Sequence, residues 1–328
     1  MGRTLNLYLD KEDSEMKELR AREVINAIIS QNCSLLAELK GGEKLKKDIS
    51  STGKMSRWLL SHIMFPAGFL KAVEQRPELW KTRRLKVVKR WCRIFFPYRV
   101  RYQHNFPRDE RGKIIVINHP SLTDPLVVLV WAMLVFPQKP VLLPVNLPWF
   151  EEVSQFVKLL EKVGIFLVPT LTPKTMRRLE DDPDLVRLKG EMRNNYLTSL
   201  LKLADAGGMG VVAQPAGRQR CLWLDQSQRE SGVSRDGRRV VPTVGVLKAS
   251  AKHAKLGDNI DIVTVGVALP RWWAVGIGKL NLFIPYHLNV GYTLPLSELP
   301  PKPDVGVLRE MEALVPQAYW VPRQRRPC

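Results

Sequence analysis

Apolar residues recur along the chain in two rhythms. From about Glu15 to Leu79 they come at helical intervals. Leu19, Val24, Ile25, Ile28, Ile29, Leu35, Leu36 and Leu39 alternate with charged positions such as Glu18, as one buried helix stripe requires. Gly41-Gly42 breaks that pattern, and a second helical stretch begins near Met55. This predicts a small helical N-terminal domain over residues 1–80. From Lys113 onward, short apolar runs alternate with longer amphipathic stretches. The predicted strands are Ile114–Asn118, Val141–Val145, Ile165–Pro169, Val211–Gln214, Val240–Leu247, Ile260–Ala268 and Leu280–Val290. The predicted helices between them are Leu126–Phe136, Trp149–Val163 and Leu185–Ala206. Strands interleaved with helices imply an α/β fold, a mostly parallel sheet flanked by helices, over residues 81–328. The prolines of Leu299–Pro303 precede a last helix, and Arg323–Arg326 is a basic tail.

The segment between the two regions changes the picture. Lys81 to Arg101 holds nine Lys or Arg and no acidic residue, with Leu85, Val88, Cys92 and Phe95 on one helical face. It reads either as a basic amphipathic helix lying on an anionic membrane surface or as a helix packed on the main domain with a solvated basic face. The whole chain of 328 residues has a formal charge of +19 and 45% hydrophobic content. That content supports a large core. The charge favours an anionic partner: phosphorylated substrates, acidic lipid headgroups, an acidic carrier protein or nucleic acid. No helix-turn-helix, zinc-finger or RNA-binding pattern accompanies it, so nucleic acid is not the expected partner. Cys33, Cys92, Cys221 and Cys328 have no disulfide or zinc spacing, which fits a reducing compartment. No secretory signal is recognisable near the start, and Leu126 to Phe136 is too short to span a bilayer. The expected location is cytoplasmic with peripheral membrane contact.

Candidate chemistry concentrates in two places. The run Lys113-Ile-Ile-Val-Ile-Asn118 ends in His119, and Asp124 follows five residues later. A carboxylate returning to one ring nitrogen fixes the tautomer and leaves the other nitrogen to take a proton from a hydroxyl. The alternative is that Asp124 only caps a helix starting at Pro125. Later, Gly210-Val-Val-Ala213 is followed by Gln214-Pro-Ala216-Gly217-Arg218-Gln-Arg220. Glycine permits close backbone approach, and guanidinium forks match phosphate oxygens, though a solvated turn has the same composition.

Together these blocks resemble the glycerolipid acyltransferases, whose first block is His-x-x-x-x-Asp after a strand. Asn118-His119-Pro-Ser-Leu-Thr-Asp124-Pro125 follows it. The second block is more similar to the Ala-Pro-Ser-Gly-Gly-Arg-Asp-Arg of soluble plastid-type glycerol-3-phosphate acyltransferases than to the usual Phe-Pro-Glu-Gly-Thr-Arg. Ala216 stands where the usual block has Glu. Arg193–Ala206 followed by Gly207-Gly208 matches that group's helix before the motif strand, and Val241-Pro242 with the apolar run after it looks like the last block, a strand.

The resemblance implies acyl transfer from a thioester, on acyl carrier protein or coenzyme A, to a hydroxyl of glycerol 3-phosphate. His119 would be the general base and Asp124 its orienter. Arg218, Arg220 and Lys174 would hold the phosphate, and the backbone at Gly217 would approach the oxyanion. No metal or redox cofactor is implied. Two other readings stay open: a lysophosphatidate, other lysolipid or glycolipid acceptor, and an inactive lipid-binding scaffold, which Ala216 would suit.

Overall fold

A computed structural model of the chain describes residues 16, 19–32, 34, 94, 97–118, 124–136, 139–146, 164–170, 183–213, 243–269, 285–301 and 303–315. Seven strands form one sheet: β1 (Tyr98–Arg101), β2 (Gly112–Ile117), β3 (Val141–Asn146), β4 (Ile165–Thr170), β5 (Met209–Ala213), β6 (Ile260–Ala268) and β7 (Tyr286–Pro295). Their order is β1-β7-β6-β2-β5-β3-β4. The pairs β1/β7, β2/β6 and β3/β4 are parallel, and β6/β7 is antiparallel. The expected mostly parallel α/β sheet with flanking helices is therefore what the chain forms. Two compact units divide the chain, one of Met1–Arg84 with Pro137–Met209, the other of Leu85–Phe136 with Gly210–Cys328.

In the first unit a helix over residues 19–32 (α1) buries Ala21, Ile25, Ile28, Ile29 and Asn32. The spacing of those positions keeps them on one face. Leu19, expected on that face, is exposed. The inner face meets β4: Asn32 Nδ2 donates to the Pro169 carbonyl at 3.2 Å, and its Oδ1 accepts from Asn195 Nδ2 at 2.7 Å. Asn195 lies on α3 (Pro183–Asp205), which follows α2 (Asp124–Val135) in the chain. Met192, Leu200, Leu203 and Ala204 line its buried side. It stops where the Gly207 and Gly208 N–H groups return to the Ala204 and Leu203 carbonyls. The expected helix 149–163 lies outside the described residues.

The second unit holds β2 and β6, whose residues are all buried. Near-continuous apolar runs of this kind, interrupted by Lys113 in β2 and by Asp261 and Thr264 in β6, suit a strand covered on both faces. α2 (Asp124–Val135) carries Val127, Val128, Leu129, Trp131, Ala132 and Met133 into the core, so its apolar run is a buried helix as expected. The N-terminal end of β2 holds a charge cluster. Lys113, with no side-chain exposure, sits 2.6 Å from Asp261 Oδ2 on β6 and also bonds Asp109, while Arg111 reaches Asp261 Oδ1 at 3.1 Å. Lys113 and Asp261 are register partners, so the ion pair marks the strand alignment.

Three expectations need correction here. Val240–Leu247 is not a strand over its described part: Val244–His253 is a helix, α4. A short apolar run does not distinguish helix from buried strand, and a distant residue decides. Asp304, in the first turn of α5 (Pro303–Leu314), accepts the N–H groups of Thr243 and Val244 on one oxygen, each at 2.8 Å, and that of Gly245 on the other at 3.0 Å. These are donors that a helix start leaves unpaired. A Cβ at Gly245 would lie 2.6 Å from Asp304 Oδ2, so glycine permits the approach. Val244, Leu247 and Ala251 then fall on the buried face. Val241 and Pro242 lie outside the described residues.

The second correction concerns Lys81–Arg101: its last four residues form β1 beside β7, with Arg99 and Arg101 exposed and Tyr98 and Val100 half-buried. That is the period of a strand. Leu85, Val88, Cys92 and Phe95 lie outside the described residues. The third is the last strand, expected over 280–290 and observed at Tyr286–Pro295.

β7 continues past Val290 through a bulge, in which Gly291 and Tyr292 oppose Thr264 alone. A bulge leaves an unpaired backbone group. Glu310 of α5 takes it up: the Tyr292 N–H donates to Glu310 Oε1 at 2.7 Å, and the Thr264 side chain bonds the same carboxyl. Burial raises the Glu310 carboxyl above the usual range, although both hydrogen bonds pull the other way. A raised folded value means that the unfolded chain ionises first as pH rises. Stability is then fully present below the ordinary carboxylate pKa and is lost as pH climbs through the folded one. Glu310→Gln is expected to gain stability relative to wild type over that rise, measured by urea unfolding at a series of pH values. A difference that stays flat or falls with pH would contradict the assignment.

Candidate active site

The strand before the His119 block ends in a built joint. β2 stops at Ile117, and the next residue, Asn118, is buried. Its Nδ2 donates to the Val267 carbonyl at 2.7 Å, and its Oδ1 accepts the Val267 N–H at 2.6 Å. The side-chain amide thus satisfies both backbone groups of one β6 residue, as a further ladder residue would. The chain leaves the sheet toward His119 from a fixed point. On the far side of the block Asp124 is the first residue of α2 and is fully buried, with Pro125 after it, where proline suits a helix start. The α2 core face seats that start firmly.

Of the expected site residues the structure describes Asp124. His119, Lys174, Gly217, Arg218 and Arg220 lie outside the described residues, as does Ala216. The described flanks are therefore a pinned strand end and a buried carboxylate, with five residues of sequence between them that include the histidine. Asn118 was legible only as part of the block. Its partner Val267 is 149 positions away, and no local signal announces a bond of that kind.

A second polar group occupies the same end of this unit. His287, on β7, pairs in register with Ala268 of β6 and with Arg99 of β1. Its imidazole is held below the ordinary histidine value first by burial, then by the charges of Arg101 and Arg99. The sequence does not disclose this group, because Arg99 and Arg101 read as the end of a basic amphipathic helix and not as a strand beside β7. Among the described residues, no three His, Cys, Asp or Glu side chains are placed to hold a metal ion. No described helix is long and apolar enough to cross a membrane.

No family model matches the chain, and no curated protein matches it. Among solved structures it is similar to the 1-acyl-sn-glycerophosphate (LPA) acyltransferase PlsC from Thermotoga maritima, at 12% identity. The match covers 92% of this chain and 96% of that one, with a TM-score of 0.37.

Proposed function

We propose that the protein is a glycerolipid acyltransferase that moves a fatty acyl group from a thioester to a hydroxyl of glycerol 3-phosphate. The observation that carries this reading is the setting of the His119–Asp124 block. Asn118 is locked to Val267 at the end of a buried parallel strand, and Asp124 is buried at the start of the next helix. Fixed flanks suit a base and an orienter, since a general base works only when held within hydrogen-bond reach of its proton.

In the proposed step His119 takes the proton of the acceptor hydroxyl as its oxygen attacks the thioester carbonyl. Asp124 stabilises the imidazolium. The new C–O ester bond forms, the C–S bond breaks, and the proton passes from His119 to the departing thiolate of coenzyme A or acyl carrier protein. No nucleophilic side chain is consumed. Arg218 and Arg220, with Lys174, hold the acceptor phosphate, and backbone N–H groups at Gly217 face the developing oxyanion. Anchoring the phosphate removes much of the entropic barrier to attack. The charge of +19 favours an anionic bilayer and an acidic carrier as surroundings.

Replacing both Arg218 and Arg220 by alanine is expected to lower kcat/KM for glycerol 3-phosphate by on the order of a hundredfold, from two lost charge-assisted contacts. A phosphate-free acceptor should be nearly unaffected. Transfer of labelled acyl groups to glycerol 3-phosphate, lysophosphatidate and a monoacylglycerol, wild type beside variant, makes the comparison. Preference for lysophosphatidate would move the acceptor assignment to a lysolipid. Equal loss with all acceptors would remove the arginines from phosphate binding.

A further inference from the structure

We propose that Asn118 is a positioning residue for the acyl transfer: its side-chain amide closes the β2 ladder and fixes the peptide link that carries His119. This rests on the reading of His119 as the general base. β2 pairs in parallel with β6, and the last partners in register are Ile117 and Val265. β6 runs on to Ala268, and Val267 and Ala268 are both buried. The Val267 N–H and carbonyl thus face the β2 side beyond the point where β2 stops. Buried backbone groups need partners.

The main chain cannot supply both of them. In a parallel ladder, a residue whose two backbone groups face its neighbour takes a carbonyl from the residue before its register partner. It takes an N–H from the residue after that partner. Carried two residues further, the register of Ile117 with Val265 would set Val267 opposite His119. The carbonyl required would be that of Asn118, and the N–H required would be that of Pro120. Proline has none to give. Asn118 meets both needs with one side chain, accepting the Val267 N–H on Oδ1 at 2.6 Å and donating from Nδ2 to the Val267 carbonyl at 2.7 Å. Only a primary amide offers an acceptor and a donor together on so short a stem.

The consequence for the base is direct. Asn118 is 2% exposed and bonded through both side-chain atoms, so its own backbone is held against β6. The next Cα, that of His119, follows after a single peptide of about 3.8 Å. An error at Asn118 passes to the histidine with nothing between to absorb it, and a displacement of about 1 Å at a reacting group can cost about a hundredfold in rate.

The test compares wild type with two variants whose melting curves establish folding at the assay temperature. Asn118→Leu keeps the size and loses both hydrogen bonds, whereas Asn118→Gln keeps the amide on a longer stem. One reading is kcat and KM for acyl transfer. The other is the His119 titration midpoint by NMR, in the full chain labelled at histidine Cε1, with His119→Asn assigning the signal among the five histidines. In both variants kcat should fall by between about tenfold and a hundredfold, with KM for thioester and acceptor unchanged. The His119 midpoint, held up by a nearby Asp124 carboxylate on this reading, should fall toward the ordinary histidine value. A residue that served stability alone would leave both readings at their wild-type values in folded protein. Asn118→Gln decides where Asn118→Leu does not fold. Wild-type kcat, or an unmoved midpoint, in a folded variant overturns the proposal. If wild type itself transfers no acyl group, the acyl-transfer reading falls. The midpoint then decides alone whether Asn118 positions His119: a fall upholds it and no movement overturns it.

Discussion

His119→Ala is expected to lower acyl transfer by about a thousandfold, the middle of the range for a positioned general base. The rate should fall with every acceptor, because the histidine acts on the reacting hydroxyl and not on the distant phosphate. That separates it from the arginine variants, which discriminate between acceptors. Asp124→Asn is expected to lower transfer as well. Asp124 is fully buried in the first turn of α2, so its melting curve is read beside its activity. If His119→Ala kept wild-type transfer, the base would lie elsewhere and the block would be a strand–helix joint alone.

The largest expected effect on stability lies at the other end of β2. Asp261→Ala leaves the fully buried Lys113 ammonium with Asp109, a partly exposed partner. Removing one member of a buried pair costs about 3–5 kcal/mol, because the remaining charge stays desolvated. Lys113→Met should cost less, since Asp261 keeps Arg111 at 3.1 Å. A double variant, Lys113→Met with Asp261→Leu, should recover much of the loss, as apolar replacements of whole buried pairs often do. Urea unfolding of wild type, the two single variants and the double variant makes the comparison. Equal, small losses in both single variants would show that the cluster is solvated and does not hold the β2/β6 register.

What the sequence disclosed follows the reach of the interactions involved. β2, β6 and α2 were legible because burial on all sides writes itself as a nearly continuous apolar run, interrupted in the two strands by the ion-paired Lys113 and Asp261 and by Thr264. α1 and α3 were legible because a one-sided face writes itself as a period. α4 was not: Val244 to Leu247 reads equally as strand, and the choice is made by Asp304, 59 to 61 positions away. β1 was not, because its arginines continue a basic stretch and only pairing with β7 gives them the alternation of a strand. The extension of β7 past Gly291 depends on Glu310 closing a bulge, again a contact from another element.

The same division runs through the candidate site. The His119 block was visible as a local word, and its strand-to-helix setting follows from the apolar runs on either side. The lock between Asn118 and Val267 was not visible, nor was the cluster of Arg99, Arg101 and His287, since each is assembled by strand order. Lys174, Gly217, Arg218 and Arg220 rest on the sequence and the resemblance alone.

The central claim is tested most directly by incubating the purified full chain with an acyl thioester, on coenzyme A and on acyl carrier protein, together with glycerol 3-phosphate and anionic vesicles, and identifying the products by mass. The account predicts a monoacylated glycerol phosphate and one free thiol for each ester formed, with neither product above background for His119→Ala. Folded protein that forms no ester with glycerol 3-phosphate, lysophosphatidate or a monoacylglycerol, from either thioester, would contradict it.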